Sequence, residues 1–367
     1  MYSNDNRTVI TLDAGGTNFA FGAIKGNKFI VDPIILPSNA DDLDRCLETM
    51  VEGFSRMIDK LDEKPVAISF AFPGPADYPN GIIGGYLPNF PSFRDGVALG
   101  PFLEDKFGIP VYINNDADLY AYGEALAGAL PELNQRLSDH GSNKQFRNLL
   151  GFTFGTGFGF GFVTKGELHI GDNSCVETFC LRHKHMPNVM VEEGVSIRAV
   201  KRVYAEESGS TDITLTPKDI FEIAEGRRAG DAEAAQKAFA MLGEVAGDAM
   251  ATAATLIDGV IVIGGGLSAA AKYIKPALLK EMRSKIHTMQ GGSLNRVQMK
   301  VYDLDNDAEF EDFVKGESRT IKVYGSEREV SYDPQKRIGI SFSKIGANAA
   351  TSMGAYAFAL NELDKTK

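Results

Sequence analysis

Tryptophan is absent from this 367-residue sequence, cysteine occurs three times and histidine five times. The three cysteines, Cys46, Cys175 and Cys180, provide no disulfide framework and suit a reducing compartment. The opening residues, Met1 to Arg7, are polar and lack the apolar stretch of a secretory signal. No uninterrupted apolar run reaches membrane-spanning length, so a cytoplasmic protein with no membrane partner is expected. Basic residues are in deficit as well: 38 Lys plus Arg against 49 Asp plus Glu leaves a net charge of −11, and such a surface repels a phosphate backbone. No nucleic-acid partner is expected.

Several catalytic signatures are also missing. A P-loop needs Gly-Lys before its Ser or Thr, and that dipeptide occurs nowhere in the chain. The dinucleotide fingerprint fails at Gly155-Thr-Gly157, where Phe160 takes the place of the last glycine, and Gly264-x-Gly266-x-x-Ala269 matches it only in degenerate form. No H-E-x-x-H, G-x-S-x-G or tight Cys/His quartet is present, which leaves zinc proteolysis and acyl transfer without support.

What remains is a globular composition, 44% hydrophobic and 24% charged, in a chain long enough for two domains. Thr8 to Leu12 and Phe19 to Ile24 read as two strands joined by the glycine turn Asp13-Ala-Gly-Gly-Thr17. Leu149 to Phe154 and Phe158 to Val163, joined by Gly155-Thr-Gly157, repeat that plan, so the chain holds two related halves. A helix-like stretch (Asp41 to Leu61), a buried strand (Val66 to Phe70), and a strand (Val111 to Ile113) leading to a helix from about Ala117 to Ala129 lie between them. Later come a long Ala-rich helix, Gly230 to Leu256, the strand Val260 to Ile263 with the turn Gly264-Gly-Gly266, and a closing helix, Ala347 to Leu363. Residues 302–337 read as a solvated insertion: an acidic run from Asp303 to Asp312, then a hairpin of Ile321 to Tyr324 with Glu329 to Tyr332. The mixture predicts an α/β fold with mixed sheets.

The glycine turns allow two readings. Hairpin turns use glycine for its positive φ, and converging backbone N–H groups also hold phosphate. Asp13, at a strand end, could hold Mg²⁺ against a triphosphate. Asp116, in Asn114-Asn115-Asp116-Ala-Asp118 at the junction of a strand and a helix, is either an N-cap or a base that accepts the proton of an attacking sugar hydroxyl.

These residues resemble the ROK (repressor, open reading frame, kinase) family of bacterial sugar kinases and regulators, in the actin and hexokinase superfamily. Leu12-Asp-Ala-Gly-Gly-Thr-Asn18 is similar to its first phosphate motif, Phe72-Pro-Gly-Pro75 and Leu87-Pro-Asn89 to its sugar-side loops, and Asn115-Asp-Ala117 to its catalytic motif. Thr153-Phe-Gly-Thr-Gly157 resembles the second phosphate motif, Ile261 to Gly266 the adenosine motif, and Ala349 to Ala359 the closing helix. The resemblance implies two actin-like ATPase (ribonuclease H-like) domains around a cleft: residues 1–115 with 347–367, and residues 116–346 carrying the 302–337 insertion. It further implies an ATP- and Mg²⁺-dependent hexose kinase, with glucose converted to glucose 6-phosphate as the leading reaction and a homodimer as the assembly. An N-acetylhexosamine or other hexose kinase, or a sugar-binding regulator without turnover, are the alternatives. The family's repressors carry a DNA-binding segment ahead of the first phosphate motif, and with roughly ten residues before it here a repressor is not expected.

By the same resemblance Asp116 is the general base, and Asp13 positions Mg²⁺ indirectly. Gly15, Gly16, Thr17, Asn18, Gly155, Thr156 and Gly157 surround the phosphates, while Gly265 and Gly266 lie against adenosine. Asn89, Asn115, Asp116, Glu177 and Glu192 contact sugar hydroxyls, although Glu177 and Glu192 also read as solvated surface glutamates. The segment 171–196 departs from the pattern. The family's Glu-x-Gly-His would put a histidine where Cys180 stands, and its zinc-binding cysteine cluster is missing. Cys175, Cys180, His183 and His185 are spaced awkwardly for one ion, so no structural zinc is expected, and Cys180 is expected to pack as a small apolar residue.

Overall fold

The computed structural model describes residues 2–365, and these form two compact units. The first comprises the described residues of Met1–Pro131, Gly159–Phe179 and Lys344–Lys367; the second comprises Glu132–Phe158 and Cys180–Ser343. The sequence reading divided the chain at 115/116, whereas the helix Asp116–Leu126 lies within the first unit.

The sheet of the first unit is mixed. Lys28–Phe29, Asn18–Lys25 and Val9–Ala14 pair antiparallel in that order, and Ile34–Pro37 also pairs with Asn18–Lys25. Ala67–Ala71 and Val111–Asn114 then add in parallel. Both faces of the sheet are covered, which is why its strands read as near-continuous apolar runs. Ile10 and Leu12 point to a core rich in phenylalanine. There Phe72 lies 4.6 Å from Phe90 and 5.1 Å from Phe93, between ring centroids. Val9, Ile24 and Ala67 meet Tyr356, Ala359 and Leu360 of the closing helix, Ala347–Lys365. That helix crosses Asp116–Leu126 at backbone contact. A Cβ on Gly123 would overlap the carbonyl oxygen of Ala350, and one on Gly354 would overlap that of Leu119.

In the second unit four parallel strands lie in the order Leu149–Phe154, Val260–Gly264, Arg337–Phe342 and Lys300–Asp303. The helix Ala232–Ile257, capped by Asp231, packs on Ala271–Met282 through Gly243 and Gly247, where an added Cβ would strike the Ile274 and Leu278 carbonyl oxygens. By length and composition this 26-residue helix could cross a membrane, but Glu233, Lys237, Glu244 and Asp248 interrupt it, so it is not an uninterrupted apolar run. Leu242, Val245, Met250 and its neighbours on the same face are buried in the unit.

The segment 302–337 is not a simple solvated insertion. Tyr302 and Asp303 belong to a sheet strand, and the acidic run forms the helix Asp307–Lys315, capped by Asn306. Phe310, Phe313 and Val314 bury one face of that helix while its carboxylates keep the other in water. Only the hairpin Arg319–Lys322 with Glu329–Tyr332 remains an exposed excursion.

Candidate active site

In the first unit the turn after Val9–Ala14 is closed by the Gly15 N–H, which donates to the Asn18 carbonyl at 3.1 Å. Ser38 steadies it from the side, its hydroxyl donating to Gly16 O at 2.6 Å and its N–H to Thr17 O at 3.0 Å. Neither Gly15 nor Gly16 has a positive φ, so the hairpin reason for glycine does not apply here. Space is the reason at Gly16, where a Cβ would lie 3.0 Å from the Cβ of Asn89. Asn89 itself is exposed, carried between the buried Leu87 and Phe90. Asp13 is exposed at the strand end and lines an open groove of about 880 Å³ together with Asn348, Ala349 and Ser352 of the closing helix.

The two readings of Asp116 separate at the next element. Asn115 is the N-cap of Asp116–Leu126, its side-chain oxygen accepting from the Ala117 N–H at 2.7 Å. Asp116 is therefore the first helical residue, not the cap, although its Oδ1 also lies 2.9 Å from the Ala117 N–H. It is open to solvent yet densely surrounded by protein, and burial raises its pKa, backbone N–H groups oppose the rise and the charge of Asp13 adds to it. Asp118, one more residue along, is buried; burial and the charge of Asp116 push its pKa up to about 8.

Glu177 comes to the same place from the short turn Val176–Thr178. Burial, then Asp118 and Asp116, push its carboxyl up to about 8. Tyr78 lies 3.3 Å from Glu177 Oε1 and donates to the Phe72 carbonyl at 2.9 Å. Gly74 makes this possible, because a Cβ there would overlap both the Tyr78 hydroxyl and Glu177 Oε1.

In the second unit the turn after Leu149–Phe154 is closed over one residue fewer, with the Gly155 N–H donating to Gly157 O at 3.1 Å. Glu192 is tied to it: its Oε2 accepts from the Phe158 N–H at 3.2 Å and its Oε1 pairs with Arg198 at 2.9 Å. Gly157 leaves room for that carboxylate, which a Cβ would approach to 2.7 Å. Gly265 has φ +88° and lies against the Phe154 backbone, where no side chain fits. Gly155 and Gly266 differ from both. Each has an ordinary φ, and nothing lies within 4 Å of where its Cβ would be. Neither conformation nor crowding calls for glycine at these two positions, and an approaching ligand would.

The ROK family signature matches residues 9–308. The chain belongs to the ROK family. A crystal structure of a glucokinase from Parabacteroides distasonis is 62% identical, covering 98% of this chain and 99% of that one with a TM-score of 0.91. A glucokinase from Thermotoga maritima is 31% identical over 168 residues, 44% of this chain and 46% of that protein. The chain spans about half the length of the curated relatives it matches. A ROK glucokinase from Streptomyces griseus, solved with glucose and AMPPNP, is 17% identical over 95% of this chain and 98% of that one, with a TM-score of 0.59, and carries the fold alone. The fold of this ROK protein is accordingly the α/β, mixed-sheet, actin-like ATPase fold.

The departure at 171–196 now has a structure. Cys180 is exposed rather than packed, because Phe179 turns into the left-handed region just before it and directs the chain outward. His183 is buried against Gly194 and accepts from the His185 N–H at 3.1 Å. Lys184 anchors this loop by ion pairs to Glu244 at 2.6 Å and Glu281 at 2.5 Å, one on each packed helix of the second unit. Among the described residues no three His, Cys, Asp or Glu side chains converge to hold one metal ion. Asp118 falls within the motif Asn114 to Asp118 named in the sequence, whereas Tyr78 beside Glu177 and Arg198 beside Glu192 carry no local signal there.

Proposed function

We propose that this ROK protein is an ATP-dependent hexose kinase that transfers the γ-phosphate of ATP to the 6-hydroxyl of glucose. The observation that carries the reading is Asp116: relieved of capping by Asn115, accessible, and raised in pKa by its burial among protein groups. Asp116 takes the proton of the sugar hydroxyl as its oxygen bonds to the γ-phosphorus. The bond from that phosphorus to the bridging oxygen breaks, and ADP leaves. Asn89, Asn115, Glu177 and Glu192 hold sugar hydroxyls. The backbone N–H groups of 15–18 and 155–157 receive phosphate oxygens, and Gly265 and Gly266 make room for adenosine. A homodimer working in the cytoplasm belongs to the same reading.

For Mg²⁺ the donor set fits: one exposed carboxylate, Asp13, beside a turn rich in backbone donors, leaves the remaining positions to water and phosphate. Asp13 would hold the ion through water, and the bound ion neutralises charge on the transferred phosphoryl group. Excess EDTA is expected to abolish ADP release and Mg²⁺ to restore it; undiminished rates in chelator would contradict this role. A coupled ADP-release assay across hexoses and amino sugars tests the substrate. Glucose is expected to give the highest kcat/KM, and a preference for an N-acetylated hexosamine would reassign it.

A further inference from the structure

Asp118 is 2% exposed at the third residue of the helix that Asp116 begins, and its Oδ1 has no hydrogen-bond partner. The charge of Asp116 acts on Asp118 and both act on Glu177, and among the described residues no cation acts on any of the three. Each element packed around them can be named. The helix brings Asp116, the turn Val176–Thr178 brings Glu177, and Tyr78 brings a phenol that burial and Glu177 keep neutral. Gly161 of Phe158–Thr164 lies against the Asp118 backbone and brings no side chain. The closing helix brings the Thr351 hydroxyl to the Asp116 carbonyl, and the first glycine turn brings only Asp13. A buried carboxyl group, Asp118, beside two further carboxyl groups and with no counter-charge among the described residues is disfavoured in its ionised form.

We propose that Asp118 is a positioning residue that carries a proton at neutral pH, and that this proton allows Glu177 to stay beside Asp116. The proposal rests on the kinase reading in taking Glu177 as a sugar contact. The turn that carries Glu177 is a single turn with no N-terminal side-chain cap, against which Tyr78 lies 3.3 Å from Glu177 Oε1 and Phe179 lies 4.2 Å from Phe160 between ring centroids. When Asp118 ionises, its charge acts on Glu177, and the short turn Val176–Thr178 is the element that yields. Sugar affinity then falls while the chemistry at Asp116 continues. Burial and the neighbouring carboxylates place this change near pH 8, where Asp118 and Glu177 titrate as a pair.

A raised carboxyl pKa means that the folded chain binds a proton the unfolded chain has already released. Folding stability therefore declines as pH rises from the ordinary carboxylate range to about 8 and levels off above it. Asp118→Asn keeps the shape of the neutral acid and cannot ionise. In wild-type protein kcat/KM for the sugar is expected to fall about tenfold between pH 7 and pH 9 through KM with kcat nearly level, and in Asp118→Asn to fall less than about threefold. Thermal unfolding without substrate reads the proton independently of turnover. Between pH 5 and 8 the wild-type Tm is expected to drop at least about 2 °C more than that of the variant. Parallel profiles in both measurements would overturn the proposal. So would a folded Asp118→Asn with kcat reduced more than about a hundredfold at every pH, which would make Asp118 itself the base. Failure of the kinase reading would show differently: no sugar would give turnover, while the difference in unfolding would persist.

Discussion

Asp116→Asn is expected to lower kcat by at least about 10²-fold while the KM for the sugar changes much less. Asn has nearly the shape of Asp, and the helix start is already capped by Asn115, so the substitution removes a proton acceptor without removing a cap. Removing the charge should leave the fold as stable or more so, because the raised pKa of Asp116 shows that its charged form is disfavoured. Steady-state kinetics with a thermal melt on the same sample separate the two effects. Turnover near wild type in a folded variant would remove Asp116 from the base role and make Asp118 the next candidate.

Gly155→Val should separate ligand from fold just as sharply. Nothing lies within 4 Å of the missing Cβ and the backbone has an ordinary φ, so the side chain enters open space. Tm is expected to move by less than about 2 °C, and kcat/KM for ATP to fall at least about tenfold as the isopropyl group fills the place of a phosphate. Gly265→Val is the contrast. Its φ of +88° and its contact with the Phe154 backbone make that variant lose stability first. Unchanged ATP kinetics in Gly155→Val would show that the turn 155–157 holds no nucleotide.

The strands and helices that pack a whole face were legible in the chain. Val9–Ala14, Val260–Gly264, Ala232–Ile257 and Ala347–Lys365 all lie within about three residues of where apolar pattern and glycine or proline punctuation put them. The helix Asp307–Lys315 was not, because six carboxylates in the run from Asp303 to Asp312 hid an apolar face of only three residues. The site was legible in part for a related reason. Asp13, Asn115 and Asp116 sit at strand ends, where local pattern marks them. Adjacent Asn115 and Asp116 are both good caps, however, and only the structure assigns the cap to Asn115. The approach of Glu177 to Tyr78 is a long-range one that Gly74 permits by lacking a side chain, and no local spacing encodes that.

Transfer of a phosphoryl group to glucose, as distinct from binding of the sugar alone, is read from phosphorus-31 spectra of a reaction containing protein, ATP, Mg²⁺ and glucose. One ADP per glucose 6-phosphate, with neither formed when glucose is omitted, is the predicted result. Glucose binding without any ADP, or phosphate released to water in place of the sugar phosphate, would contradict it.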